Sequence, residues 1–141
     1  MPKKRVFIDS SVIIRGFLYK KSNSSIVIEM VNRGDVAGVI NEKVVTEVLD
    51  VLKALKDKDF ASLAFSLLYS SFEIVPKVRY ANEMELNKGK IKEKDLEHLA
   101  TAKALNLPII AYDRDFEGID EYVTPKRFLE TLGIAKYETE Y

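Results

Sequence analysis

Two aspartates follow short apolar runs near opposite ends of the chain. Asp9 comes directly after the run 5–8, and Asp113 comes directly after the run 108–112. Continuous apolar runs of this length are typical of strands that are covered on both faces of a parallel sheet. Because the carboxyl ends of neighbouring parallel strands open onto one crevice, the two carboxylates would share a site if their strands are neighbours. Each acid also has an ordinary alternative, Asp9 as a helix cap and Asp113 as a turn former.

Three further acids are candidates for the same site. Glu47 falls at the border of the apolar face of a predicted helix, where an acid either leans toward a crevice or is simply solvated. Asp95 falls in the first turn of another predicted helix, where the helix dipole alone would favour a negative charge. Asp115 repeats the acid two positions after Asp113, either as a second metal contact or as part of a polar turn.

Composition limits the kind of site that these acids can form. The chain has no cysteine and a single histidine, which excludes thiolate sites, cysteine nucleophiles and sites with several histidines. His98 lies one helical turn after Asp95. An Asp/His pair could ligate a metal, but a lone histidine is more often packed or hydrogen-bonded, and this second interpretation is favoured.

A cluster of carboxylates needs a compensating charge. Two unit charges about 4 Å apart repel by about 4 kcal/mol at an effective dielectric constant near 20. Such a cluster would raise the pKa values of its members or destabilise the fold unless a cation is bound. Mg²⁺ and Mn²⁺ prefer carboxylate oxygens and water, and phosphate-ester cleavage is the usual chemistry of such sites.

The distribution of charge is compatible with a polyanionic substrate. The chain carries 22 basic and 22 acidic residues, so its formal net charge is zero. Setting the five candidate acids aside leaves 17 acidic residues against 22 basic residues, a net charge of +5. A basic run directly before Asp95 could hold a phosphate backbone, or it is a solvated loop. The run consists of Lys88, Lys90, Lys92 and Lys94.

The elements that would position these residues alternate between short apolar strands and amphipathic helices. Strands are predicted over residues 5–8, 36–40, 72–75 and 108–112, and helices over 11–20, 25–32, 41–56, 58–71, 79–87, 93–106 and 125–132. Asn41 is predicted to cap the third helix, and Leu55 and Leu63 are expected on inward faces. The alternation predicts a three-layer α/β fold, and 141 residues suit a single domain, 1–141.

No segment suggests a membrane or secretory destination. No apolar run approaches the roughly 20 residues needed to span a bilayer. The basic start of the chain leads into a short strand-like run rather than a signal peptide. We therefore expect a soluble cytoplasmic protein.

The order and spacing of these motifs resemble the PIN domain, and in particular the VapC-type toxin ribonucleases of archaea and bacteria. The likeness runs from Val6 to about Leu132. It is carried by Phe7-Ile8-Asp9-Ser10-Ser11-Val12, Thr46-Glu47-Val48, Lys94-Asp95-Leu96-Glu97-His98-Leu99-Ala100-Thr101-Ala102, Pro108-Ile109-Ile110-Ala111-Tyr112-Asp113-Arg114-Asp115-Phe116 and Thr124-Pro125-Lys126-Arg127-Phe128-Leu129. No single motif is very specific, whereas their order and spacing together are.

The resemblance implies a three-layer α/β/α sandwich with a mostly parallel sheet of about five strands. It also implies cleavage of single-stranded RNA by water that Mg²⁺ or Mn²⁺ activates. The acids carried over as catalytic metal ligands are Asp9, Glu47, Asp95 and Asp113, with Asp115 as an auxiliary ligand and Ser10 in a supporting position. Ala111 departs from the family, where Thr or Ser is frequent. Homodimers and a small antitoxin that blocks the site are further implications.

Other functions fit parts of the same sequence. A PIN nuclease of RNA processing or turnover would keep the same acids, and an adjacent gene for an antitoxin would favour the toxin instead. A non-catalytic PIN binding module would have no need for a repulsive cluster of acids. A receiver domain would need tandem acids after its first strand, whereas Asp9 is followed by Ser10 and Ser11.

Overall fold

Five parallel strands form one sheet at the centre of the structure. The computed structural model describes residues 3–112 and 114–138, except for the side chain of Asp115. The strand order is β3-β2-β1-β4-β5. The strands are β1 (Arg5–Ile8), β2 (Ala37–Asn41), β3 (Glu73–Val75), β4 (Ile109–Ile110) and β5 (Tyr122–Val123). The predicted α/β fold with a five-stranded parallel sheet is therefore confirmed.

Within the described residues, seven helices connect and cover the strands. They are α1 (Ser10–Leu18), α2 (Asn23–Arg33), α3 (Glu42–Leu55), α4 (Lys58–Ser71), α5 (Ala81–Leu86), α6 (Glu93–Leu105) and α7 (Pro125–Thr131). Short 3₁₀ turns lie at Lys77–Arg79 and Arg114–Phe116. Within the part of the chain that the structure describes, no helix combines the length and apolar character needed to span a membrane.

Strand β1 occupies the middle of the sheet, which explains its uninterrupted apolar run. Val6, Phe7 and Ile8 are all completely buried. Phe7 pairs with Val39 of β2 on one side and with Ile109 of β4 on the other. Since helices cover both faces of such a sheet, the side chains of Val6, Phe7 and Ile8 all enter the core, whereas Arg5 at the start of the strand is exposed. The two strands that precede the candidate aspartates in the sequence, β1 and β4, are thus direct neighbours.

Strand β5 was not predicted from the apolar runs. It has only two residues, both half-buried, and no apolar run precedes it. Backbone hydrogen bonds fix its place in the sheet, because the N–H of Ile109 donates to the Glu121 carbonyl and the N–H of Ala111 donates to the Val123 carbonyl. A strand defined by its neighbour rather than by its own side chains leaves almost no periodic signal in the sequence.

Two expected inward positions were wrong. Leu55 is 62% exposed and Leu63 is 73% exposed. The buried face of α4 is instead formed by small residues and one leucine, namely Ala61, Ala64 and Leu68. At about 100° per residue, Leu63 lies about 200° around the helix from Ala61 and therefore points away from that face. Alanines on the contact face let α4 pack against α3. A prediction that considers only large apolar residues misses this face.

Helix α6 runs from the carboxyl ends of the strands back to the beginning of β4. It begins at Glu93, near the carboxyl ends of the strands, and ends at Asn106, which takes a left-handed conformation with φ 56° and ψ 52°. Leu107 then donates its backbone N–H to the Ala102 carbonyl at 2.8 Å, and the chain enters β4 at Ile109. A left-handed residue that closes the helix in this way fixes where β4 begins relative to α6.

Candidate active site

Asp9 combines a helix cap with a buried position at the carboxyl end of β1. Its backbone N–H donates to the Ile110 carbonyl at 2.9 Å, which continues the β1–β4 pairing. Its Oδ2 accepts hydrogen bonds from the Ser11 backbone at 3.2 Å and the Ser11 hydroxyl at 2.5 Å. The residue is only 5% exposed. These contacts confirm the capping role and leave Oδ1 turned toward His98, whose Nε2 lies 3.8 Å away.

His98 brings Asp9 and Glu47 together. The imidazole is 1% exposed, and its Nε2 lies 2.8 Å from Glu47 Oε1. Its ring packs against the Phe7 ring with the two centroids 5.5 Å apart. The favoured interpretation of His98 as a packed, hydrogen-bonded residue is confirmed. One nitrogen atom thus faces carboxylates that come from β1 and α3.

A buried amide holds the other side of the imidazole. Asn41 Oδ1 accepts from the Val44 backbone N–H at 2.9 Å, as the predicted cap of α3 requires. Its Nδ2 donates to Thr101 Oγ1 at 2.9 Å and lies 3.4 Å from His98 Nδ1. Asn41 and Thr101 are both completely buried. The cap of α3 therefore also forms part of the site.

Sequence reasoning missed this second role of Asn41 and did not consider Thr101. A signal was nevertheless present in α6. Asp95, His98 and Thr101 recur every three residues in a segment otherwise rich in leucine and alanine. This spacing places polar side chains on one face of the helix. Buried polar side chains on one face generally need hydrogen-bond partners, which here come from β2 and α3.

Glu47 reaches the site from the border of the apolar face of α3, as predicted. Its side chain is 36% exposed. Burial by itself raises the pKa of Glu47, but the hydrogen bond and charge of His98, a hydrogen bond from Ser10 and the charge of Lys43 outweigh it and leave the pKa lowered. Glu47 is consequently an ionised acid at neutral pH. The contact from Ser10 is the kind of support expected of that residue.

Asp95 lies in the first turn of α6, and only 6% of it is exposed. Its backbone N–H donates to the Lys92 carbonyl at 2.9 Å. The neighbouring Lys94 carbonyl accepts from Lys43 Nζ at 2.5 Å, which links the beginnings of α6 and α3. The acid is thus buried on the same helix face as His98. Asp113 and the side chain of Asp115 lie outside the described residues, so their predicted roles remain predictions.

The described residues do not by themselves form a metal site. Among them, no group of three or more histidines, aspartates and glutamates is arranged to hold a metal ion. The chemistry of the donors nevertheless fits a hard cation, because Asp9 and Glu47 face one common atom with carboxylate oxygens. Mg²⁺ is usually bound by one or two carboxylates and completes its shell with water and substrate phosphate. Asp113 is not among the described residues.

The basic run before α6 lies on the surface. Lys88, Lys90, Lys92 and Lys94 are all exposed. Lys88 forms an ion pair with Glu85 at 3.0 Å. The run leads directly into the first turn of α6, where Asp95 lies. Exposed lysines at such a place suit contacts with a phosphate backbone.

Comparisons with known proteins agree with the architecture. A family model described as the PIN domain matches residues 6–122. A search of curated protein sequences finds no match. Among solved structures, a toxin–antitoxin complex from Klebsiella pneumoniae is similar with a TM-score of 0.65 and 24% identity, over 85% of this chain and 97% of that one.

Two further solved structures share the fold at lower identity. VapBC2 from Rickettsia felis, bound to a DNA fragment from its promoter, gives a TM-score of 0.63 at 15% identity, over 85% of this chain and 96% of that one. VapC20 from Mycobacterium tuberculosis, a toxin that cleaves the sarcin–ricin loop, gives 0.61 at 14% identity, over 82% and 95%. Nearly the whole of each of these chains has a counterpart here.

Proposed function

The chain belongs to the PIN domain family, and from this premise we propose that it is a metal-dependent endoribonuclease that cleaves single-stranded RNA. The convergence of Asp9 and Glu47 on His98 Nε2, at 3.8 Å and 2.8 Å, carries the proposal. The two acids lie far apart in the sequence, and one of them is buried. Burying a carboxylate is costly unless hydrogen bonds or a cation compensate it. A purely structural domain would gain nothing from placing a second acid beside it.

The residues that would hold Mg²⁺ or Mn²⁺ are Asp9, Glu47, Asp95 and Asp113, with Asp115 as an auxiliary ligand. A bound ion of this kind supplies activation of water and stabilisation of the leaving oxygen. Ser11 holds one oxygen of Asp9, so that the other remains directed into the site. Ser10 forms a hydrogen bond with Glu47. Lys88, Lys90, Lys92 and Lys94 would hold the RNA backbone.

A toxin role in a toxin–antitoxin pair is part of the proposal. The support is the shared fold with the toxin–antitoxin complex of Klebsiella pneumoniae and with VapBC2 of Rickettsia felis. A small antitoxin protein and a second copy of this chain are the proposed protein partners, and the cytoplasm is the proposed location. Co-expression with the product of an adjacent small gene would test the pairing, and suppression of growth inhibition is the expected result.

Cleavage of a labelled single-stranded RNA by the purified protein tests the activity. We expect cleavage with Mn²⁺ or Mg²⁺ and none with EDTA. Asp9→Asn and Glu47→Gln should each lower the rate by about 100-fold or more, equivalent to roughly 2.7 kcal/mol of transition-state stabilisation. Asp50→Asn is the matched control, because Asp50 is an exposed acid on the same helix as Glu47. Equal rates in all three variants would refute the proposed site.

A further inference from the structure

His98 has a position that the proposed chemistry does not yet explain. It contacts two acids of the site but is completely enclosed, with 1% of its surface exposed. Resting on the proposed function, we propose that His98 is a positioning residue, whose Nε2–H holds one oxygen of Glu47 so that the other oxygen is directed at a divalent cation. His98 itself is not a ligand in this proposal.

The hydrogen bonds around Asn41 decide which nitrogen of His98 carries the proton. Asn41 Oδ1 accepts from the Val44 backbone N–H, so the Asn41 amide nitrogen must face His98 and Thr101. The two N–H groups of that amide face three acceptors, namely Thr101 Oγ1 at 2.9 Å and the Glu97 carbonyl and His98 Nδ1 at 3.4 Å each. An amide nitrogen only donates, so a proton on His98 Nδ1 would find no acceptor in Asn41. A proton on Nε2 has an acceptor, because Glu47 Oε1 lies 2.8 Å away.

The same contacts join the elements that carry the acids. His98 lies on α6 together with Asp95, contacts Glu47 of α3 and faces Asp9 at the end of β1. Asn41 adds the end of β2 to this set. One imidazole consequently contacts two of the four predicted acids, and a third lies on the same helix. A metal ligand that is hydrogen-bonded from behind in this way keeps its orientation when the cation leaves.

The interpretation of His98 as a direct ligand is less favourable. Its Nδ1 is occupied by Asn41 and its Nε2 by Glu47, so a cation could reach the ring only by breaking a buried hydrogen bond. Mg²⁺ and Mn²⁺ also prefer oxygen donors to imidazole. A positioning role needs no rearrangement of the described contacts.

Mn²⁺ affinity without RNA tests the proposal, measured by titration calorimetry on the full chain. His98→Leu removes the donor and should weaken Mn²⁺ binding by about 10- to 100-fold, the usual effect of losing a partner of a metal ligand. His98→Gln supplies an amide donor of similar reach and should stay within a few-fold of the native affinity. Native affinity in His98→Leu would overturn the proposal. An equally large loss in both variants would overturn it too, because a direct ligand behaves in that way.

The single histidine permits a second measurement that needs no variant. Nitrogen-15 NMR of the ring observes only His98, since the chain contains no other histidine. We expect a proton on Nε2 in the metal-free protein and also after Mg²⁺ is added. A ring protonated at Nδ1, with Nε2 free, would overturn the proposal even if His98→Leu fails to fold. Mn²⁺ binding without RNA cleavage would instead refute the proposed function and leave the positioning role intact.

Discussion

The two ends of α6 carry polar side chains in opposite surroundings. At the amino-terminal end, Asp95 and His98 are 6% and 1% exposed. At the carboxyl-terminal end, Lys103 forms an ion pair with Glu121 at 2.8 Å, and the two side chains are 31% and 26% exposed. One end is a buried hydrogen-bonded network around an imidazole, and the other is a partly solvated ion pair.

The difference separates function from stability. Solvated ion pairs contribute little, typically up to about 1 kcal/mol, because water already stabilises both charges. Buried polar groups need every hydrogen bond, and the loss of one partner leaves another group unsatisfied at a cost of about 1–3 kcal/mol. A fold that needed only stability would place apolar side chains at the first end. The stability of the core does not explain the polar residues at this end of α6, which therefore indicate a functional site.

The largest expected effect is the loss of activity in Asp95→Asn. The substitution keeps the size of the side chain but removes the negative charge that we assign to metal binding. We expect RNA cleavage to fall by about 100-fold or more, with the circular dichroism spectrum of the native fold. Glu93→Gln, an exposed acid of the same first turn, is the control and should keep its rate. Native cleavage by Asp95→Asn would show that burial of this acid has another reason.

The next effect concerns the stability of the buried network. Asn41→Ala removes both the cap of α3 and the donor to Thr101 and His98. We expect the free energy of unfolding to fall by about 2–4 kcal/mol, the sum of a lost cap and an unsatisfied buried group. Denaturant unfolding measures this loss.

Asp57→Ala is the matched control for that prediction. Asp57 caps α4 through the Phe60 backbone N–H at 2.8 Å but is exposed. Its loss should cost only about 1 kcal/mol, the typical value of a cap. Equal losses in the two variants would mean that the buried network adds no stability, and the contrast between the two ends of α6 would weaken.

The smallest effect is expected at the carboxyl-terminal end of α6. Burial raises the pKa of Glu121, but the hydrogen bond and charge of Lys103 outweigh it and leave the pKa lowered. The resulting stabilisation is present above the ordinary glutamate pKa and is lost as the pH falls through the lower value in the folded state. Glu121→Gln should therefore lower the unfolding free energy at pH 7 by at most about 1 kcal/mol.

The dependence of that difference on pH provides the check. Native protein and Glu121→Gln should converge in stability once the pH lies below the lowered pKa of Glu121, where both side chains are neutral. High salt should also reduce the difference at pH 7, because the pair is partly solvated. A difference that persists at low pH would contradict the assigned ion pair. Thermal unfolding at several pH values measures it.

The parts of the fold that could be predicted are those with a local signal. The apolar run before Asp9 predicted β1, and Asn41 predicted the beginning of α3. Strand β5 and the exposed position of Leu63 were not predicted, because both depend on what a neighbouring element supplies. Local sequence indicates whether a segment is a helix or a strand better than it indicates which face of that element a neighbour covers.

The same limit applies to the candidate site. The border position of Glu47 and the burial of His98 were within reach of helical periodicity. The chain of contacts from Thr101 through Asn41 to His98 and Glu47 was not, because it joins α6, β2 and α3. Asp113 and Asp115 remain predictions. The sequence predicts which side chains could be metal ligands, whereas the hydrogen-bond partners of these side chains depend on how the elements pack.

The left-handed Asn106 at the end of α6 also constrains how this chain could change in length. That residue anchors the carboxyl-terminal end of the helix to β4. One residue inserted between His98 and Asn106 would therefore rotate the preceding side chains of α6 about the helix axis by about 100°. Asp95 and His98 would then leave the site together. Insertions in residues 88–92, most of them exposed and ahead of the helix, would not rotate these side chains. Variation in length among functional versions of this protein should therefore accumulate ahead of α6 and be absent within it.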